Sequence, residues 1–95
     1  MPAYLFVNVD IRDESGYDQY RTGVAPLIRK HGGEALIRGG ACEVFEGDWS
    51  PSRVVLIRFP SMEAIRAFLD DPDYRPLKEL RQRISRGDLI GIEGM

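Results

Sequence analysis

From Tyr4 to Ile11 apolar and polar positions alternate, with Leu5, Val7, Val9 and Ile11 on one side and Tyr4, Phe6, Asn8 and Asp10 on the other. A period of two predicts a strand. Asp13 then stands where a helix N-cap is expected, and Tyr17, Tyr20, Val24, Leu27, Ile28 and His31 recur at helical steps as one stripe. Gly32-Gly33 supplies the C-terminal stop, and Pro26 inside the stripe predicts a kink or break.

A second strand is expected from about Glu34 to Arg38. Gly39-Gly40 interrupts it as a bulge or bend, and it resumes over Ala41–Glu46. The stretch Gly47-Asp48-Trp49-Ser50-Pro51-Ser52 is turn chemistry, and Arg53–Phe59 is a third strand rich in β-branched residues. Ser61 caps a short helix whose Ala64, Ile65, Phe68 and Leu69 face inward. Asp71-Pro72 reads as a fresh N-cap with proline at the first helical position. Tyr74, Leu77, Leu80 and Ile84 continue as the next stripe, Gly87 stops it, and Leu89–Glu93 is the last strand.

The order β-α-β-β-α-β, with the second helix broken in two, gives an α+β ferredoxin-like antiparallel sheet. Right-handed crossovers set its strand order at 4-1-3-2 and place the helices on one face. Strand parity assigns Leu5, Val7, Val9, Ile11, Ala35, Ile37, Val55, Ile57, Phe59, Ile90 and Ile92 to the face under the helices. The opposite face then receives Tyr4, Phe6, Leu36, Val54, Leu56 and Leu89 beside Asn8, Asp10, Arg38, Arg58 and Glu93. A sheet face meant for water is largely polar, and this one is not. Burying each large apolar side chain is worth roughly 1.5–3 kcal/mol, and contiguous apolar patches mark interfaces. A homodimer joined through the helix-free face is therefore expected.

Ninety-five residues amount to one expected domain spanning 1–95. Thirteen Lys+Arg against fifteen Asp+Glu argue against a DNA-coating protein. An RNA-recognition sheet would need stacked aromatics on the open faces of strands 1 and 3, whereas Phe59 points the other way, so no nucleic-acid partner is expected. The single cysteine, Cys42, excludes an internal disulfide or a cysteine-cluster metal site and reads as an inert small hydrophobe in a strand. No apolar run approaches a membrane span and no leader pattern opens the chain, which leads to the expectation of a cytoplasmic protein without membrane contact.

Several motifs recur in one known family. Tyr17-x-x-Tyr20-Arg21, Gly32-Gly33, Arg38-Gly39-Gly40, Glu46-Gly47-Asp48-Trp49-x-Pro51-x-Arg53, Phe59-Pro60-Ser61 and Asp71-Pro72-Asp73-Tyr74 follow in the order of the family DUF1330, which the chain resembles over nearly its whole length. Glu14-Ser15-Gly16 departs from the Pro-Glu-Ala favoured at that helix start. The resemblance implies a dimeric α+β barrel and carries over no catalytic residues. The wider superfamily contains cofactor-independent monooxygenases, lactone isomerases and haem-degrading enzymes, an analogy of fold only.

The expected strand order brings Glu93 beside Tyr4, with Arg58 on its other flank and Arg38 next along. Two guanidiniums and a phenol in such a band suit a carboxylate or enolate, because Arg forks pair with planar anions. The same charges equally suit structural ion pairs at a barrel rim. His31, the only histidine, is a candidate general base or a core-edge residue favoured by the helix C-terminus. Trp49 either closes a ligand cleft or locks the turn against a partner subunit. The haem-degrading relatives combine Asn, Trp and His, which adds Asn8 beside Trp49 and His31, although here the histidine comes from the first helix. Tyr17, Tyr20 and Tyr74 read as core residues. The cluster Asp70, Asp71 and Asp73 reads as a solvated cap and not a metal site, and Arg75, Lys78, Arg81, Arg83 and Arg86 as a solvated basic face. No cofactor is expected. The reading is a homodimer that binds a small organic molecule, anionic or aromatic, with cofactor-independent acid–base or oxygenase/isomerase-type chemistry. The alternative is a non-enzymatic dimeric module that binds a ligand or a protein partner.

Overall fold

The computed structural model describes residues 1–95. β1 (Ala3–Ile11) is followed by α1 (Glu14–Lys30), β2 (Glu34–Arg38), β3 (Arg53–Phe59), α2 (Met62–Asp70), α3 (Arg75–Ile84) and β4 (Ser85–Glu93). The four strands form one antiparallel sheet in the order β2-β3-β1-β4, the expected order counted from the opposite edge. The fold is therefore ferredoxin-like α+β, with the helices on one face of the sheet. Leu5, Val7, Val9, Ile57 and Phe59 point into the core and meet Tyr17, Val24, Leu27, Ile65, Phe68, Tyr74 and Ile84 from the helical layer.

Local chemistry accounts for the helix ends. The Asp13 carboxylate accepts from the Gly16 amide at 3.2 Å, and the Ser61 hydroxyl accepts from the Ala64 amide at 3.1 Å. At the end of α1 the Gly32 amide donates to the Arg29 carbonyl and the Gly33 amide to the Ile28 carbonyl. This paired closure requires a left-handed residue, and Gly32 takes it at φ 79°. Pro26 neither breaks nor ends α1, which runs through it to Lys30; its ring lies on the exposed side.

Four expectations about the elements are corrected. The chain does not resume a strand over Ala41–Glu46; residues 41–50 form an exposed connection with no ladder partner, and Cys42 is exposed within it. Asp71-Pro72 does not open a helix. Asp71 instead closes a turn, its carboxylate accepting from the Asp73 amide at 2.9 Å and its carbonyl from the Tyr74 amide at 2.9 Å, so α3 begins only at Arg75. Gly87 does not stop α3, because helix passes directly into strand at Ser85 and Gly87 lies within β4 opposite Val9.

The fourth correction concerns facing. Between Ala35 and Ile37 the β2 register shifts against β3, so Ile37 pairs with Leu56 and Arg38 with Val55. One extra residue exchanges the two faces. Ile37 therefore joins the helix-free side, and Arg38 the helix side. In β4, Leu89 stands opposite Val7, Ile90 opposite Phe6 and Ile92 opposite Tyr4. Ile90 and Ile92 are thus on the helix-free face, 53% and 51% exposed, while Leu89 lies under the helices.

Candidate functional site

The layer between α1 and the sheet is not filled. Leu5, Val7, Val55 and Ile57 form one wall of a cavity of about 670 Å³, and Tyr17, Tyr20, Val24 and Ile28 of α1 form the other. Phe68, Tyr74 and Arg81 close it from α2, the turn and α3, and Arg38 and Arg53 stand along its sheet side. Its size and its mostly apolar lining with a few convergent polar groups are those of small-molecule pockets.

Two features give the cavity chemical character. The Tyr20 and Tyr74 hydroxyls share a hydrogen bond at 2.9 Å, within a run of edge-on and tilted aromatic contacts that continues through Phe68 to Phe59. Burial pushes the Tyr20 phenol well above the ordinary tyrosine range, and the neighbouring Tyr74 adds to the rise against an opposing pull from Arg81. Tyr17 is raised by burial too, although Arg21 and Arg53 lie over its ring at 5.4 and 5.9 Å and favour the phenolate. Both phenols consequently stay protonated at neutral pH.

The second feature is Arg81. It is only 7% exposed, its Nε has no hydrogen-bond partner, and no carboxylate lies within 4 Å of its guanidinium. A buried cation normally sits against an anion, since desolvating it alone is costly. Arg53 is only loosely matched, its guanidinium 3.9 Å from Glu14. The cavity therefore presents uncompensated positive charge beside two phenolic hydroxyls, an arrangement able to hold a carboxylate or a developing enolate.

His31 stands outside this cavity. Its Nε2 is 2.8 Å from the Asp71 carboxylate, to which Lys30 Nζ donates at 2.9 Å. Asp71 is buried, not a solvated cap, and the bonds from His31, Lys30 and the Asp73 amide hold its carboxyl well below the usual range. The same contact raises Lys30. This cluster ties the end of α1 to the turn before α3.

The expected band Glu93–Tyr4–Arg58–Arg38 does not assemble. Tyr4 does face Arg58 across β1 and β3, but Ile92 occupies the position expected of Glu93, which pairs instead with Ala3. Glu34 is the residue beside Arg58 on β2, and Arg38 is on the other side of the sheet at the cavity. Asn8 accepts from the Ser52 amide at 3.0 Å, and Trp49 packs on Phe6 with ring centroids 5.9 Å apart. Asn8 and Trp49 thus belong to the helix-free side, away from His31. The residues missed were Arg81, Arg53 and the chemical use of Tyr20 and Tyr74. Arg81 was legible: it falls four after Leu77 and three before Ile84, on the apolar stripe and not on the solvated face.

Topology and cavity together define a ferredoxin-like α+β protein with a ligand-sized space between its helices and its sheet. The chain belongs to DUF1330, a domain of unknown function, which it matches over residues 2–95. A search of curated proteins finds no match. Among solved structures it is similar to a protein of unknown function from Rhodopseudomonas palustris, at 21% identity and a TM-score of 0.81 over 99% of this chain and 82% of that one. It is also similar to a dimeric ferredoxin-like protein of unknown function from Jannaschia sp. (17% identity, TM-score 0.69, covering 99% of this chain and 100% of that one). SnoaB, a cofactor-independent oxygenase from Streptomyces nogalater, shares the fold at 9% identity and a TM-score of 0.69, over 99% of this chain and 93% of that one. At such identities the likeness concerns the fold alone.

Proposed function

We propose that this protein binds a small organic acid in the cavity between α1 and the sheet. The apolar or aromatic body lies against Leu5, Val7, Val55 and Phe68, and the anionic group faces Arg81 with Arg53 and Arg38 behind it. The observation that carries this reading is the buried Arg81 guanidinium in the cavity wall, with its Nε unpartnered and no carboxylate within 4 Å. An incoming carboxylate supplies the missing partner in a site already shielded from water. Within the Tyr20–Tyr74 pair the accepting hydroxyl keeps its own proton to donate to a second oxygen of the ligand, which selects keto, hydroxy or phenolic acids over plain fatty acids. A neutral phenol beside a cation stabilises an enolate by hydrogen bonding, so cofactor-independent enolisation of a bound keto acid, its α-proton passing to solvent water, is the reaction class this lining favours.

The test is thermal shift and calorimetry with aromatic and keto acids against their neutral amides. Acids are expected to stabilise the protein, by about 2.7 kcal/mol at a hundred times Kd, and the amides to do little. Arg81→Met should erase the difference. Acids and amides binding alike, or Arg81→Met binding acids as before, would overturn the assignment. A second reading, binding without turnover, is favoured by the placement of the sole histidine outside the cavity. It holds if every acid that binds is recovered unchanged.

The binding unit is a homodimer. Tyr4, Phe6, Ile37, Val54, Leu56, Ile90 and Ile92 make the helix-free face apolar, and this face is assigned to the contact between two copies. Asn8, Trp49 and Arg58 belong to that contact, with Glu93 at its margin. Sedimentation equilibrium at micromolar concentration should give twice the 10.8 kDa of one chain; a single-chain species would remove the dimer.

A further inference from the structure

Arg81 lines a second cavity besides the one above. About 490 Å³ in volume, it lies where α3 passes into β4 and is lined by Arg12, Arg81, Gln82, Ser85, Arg86, Gly87 and Leu89. The fold builds it by hydrogen bonding. The Arg12 and Asp13 amides both donate to the Ile84 carbonyl, at 2.8 and 3.3 Å, which fixes Arg12 beside the helix–strand junction. The Ser85 hydroxyl donates to the Arg81 carbonyl and holds the end of α3 against the start of β4.

Arg12, Arg81 and Arg86 thus line one space, and none has a carboxylate within 4 Å. The acidic residues nearest along the chain do not neutralise them. The Asp13 carboxylate is occupied with the Ser15 hydroxyl and the Gly16 amide, and Asp10, across from Arg86 in the ladder, makes no ion pair with it. Arg81 adds the independent observation, being more than nine-tenths buried with its Nε unpartnered.

The lining differs in kind from that of the larger cavity. Only Leu89 is apolar, so no surface exists here for an organic body, whereas three guanidiniums and the Gln82 amide offer many donors. A compact, multiply charged oxyanion uses all of them; a single carboxylate would leave most unpaired. We propose that this junction is a phosphate site, taking inorganic phosphate or the phosphate of a monoester, with Arg12, Arg81 and Arg86 as its ligands. The proposal shares Arg81 with the organic-acid reading and goes beyond it through Arg12 and Arg86, which do not line the larger cavity.

The experiment titrates the full-length protein with inorganic phosphate by calorimetry and by phosphorus NMR, at constant ionic strength set with chloride. Saturable one-site binding is expected, and Arg12→Gln and Arg86→Gln should each weaken it roughly tenfold or more. Both side chains are exposed, so both variants should fold, as circular dichroism will verify, and both should retain any organic-acid binding. Phenyl phosphate separates the two sources. Affinity equal to that of phosphate identifies the free ion, and tighter binding that Tyr20→Phe weakens identifies an ester reaching past Arg81 into the larger cavity. Absence of saturation beyond the chloride control, or unchanged affinity in the folded Arg12→Gln and Arg86→Gln variants, would overturn the proposal. Loss of organic-acid binding with phosphate binding intact would fail only the earlier reading.

Discussion

The hydroxyls of Tyr20 and Tyr74 meet at 2.9 Å across the interior, one from the middle of α1 and the other from the turn before α3. This bond joins two elements 54 residues apart and supplies the polar end of an otherwise apolar wall. Tyr20→Phe should cost about 1 kcal/mol in urea unfolding. Tyr74→Phe should cost a similar amount, and the double variant less than the sum of the two. Full additivity would mean that the hydroxyls do not interact in solution.

The tyrosine shifts carry a sign at high pH. A phenol whose folded pKa is raised stabilises the fold fully below the unfolded value, near 10, and that contribution drains away as pH climbs above it. Stability should therefore fall above pH 10, and less steeply in Tyr20→Phe. Absorbance at about 295 nm, where tyrosinate appears, should show Tyr20 titrating only as the protein unfolds.

Asp71 predicts the acid limb. Its folded carboxyl titrates below the ordinary 3.8, held down first by His31 and then by Lys30. Its contribution is complete above that ordinary value and is lost as pH falls toward the folded one. Asp71→Asn should lower stability at neutral pH and flatten the decline between about pH 4 and pH 2. An acid limb as steep as in the parent would show that the contact with His31 and Lys30 is not formed.

Arg81→Met should leave the ligand-free protein more stable, by about 1 kcal/mol, because a cation buried without an anion is replaced by apolar volume. Function-bearing positions are commonly suboptimal for stability. A loss of more than about 1 kcal/mol in this variant would indicate that Arg81 is paired in solution.

With the proposed dimer contact on the helix-free face, the register of β4 predicts that adjacent positions separate folding from assembly. Ile90→Asp should dissociate the dimer and leave a folded monomer. Leu89→Asp should unfold the protein, at a cost of at least about 2 kcal/mol, because that carboxylate enters the helical side. Sedimentation and circular dichroism on the pair will tell them apart; the opposite pattern would mean the strand has slipped by one residue.

Much of the architecture was legible along the chain because it follows from local periodicity. The alternation of Leu5, Val7 and Val9, the stripe from Tyr17 to Leu27 and the caps at Asp13 and Ser61 each rest on a few neighbouring residues. Element order then restricts the topology to one sheet arrangement. The facing of β2 and β4 was not legible in the same way. Gly91 interrupts the alternation of β4, and the shift between Ala35 and Ile37 depends on how β2 meets β3, so parity counted along the sequence sends Arg38 and Ile90 to the wrong sides. The error moved the site, because a one-residue change exchanges core and surface.

What the residues determined alone was the existence and order of the three helices and four paired strands and the surplus of apolar surface, since each depends on composition and on spacing within one segment. Only the tertiary structure decided that Tyr20 meets Tyr74, that Asp71 receives His31 and Lys30, and that Arg81 is buried without an anion. Those relationships join segments 40 or more residues apart or depend on what neighbouring elements leave uncovered. Burial and pairing are properties of the packed layers, and a charge on a helical stripe acquires its meaning from what stands opposite it.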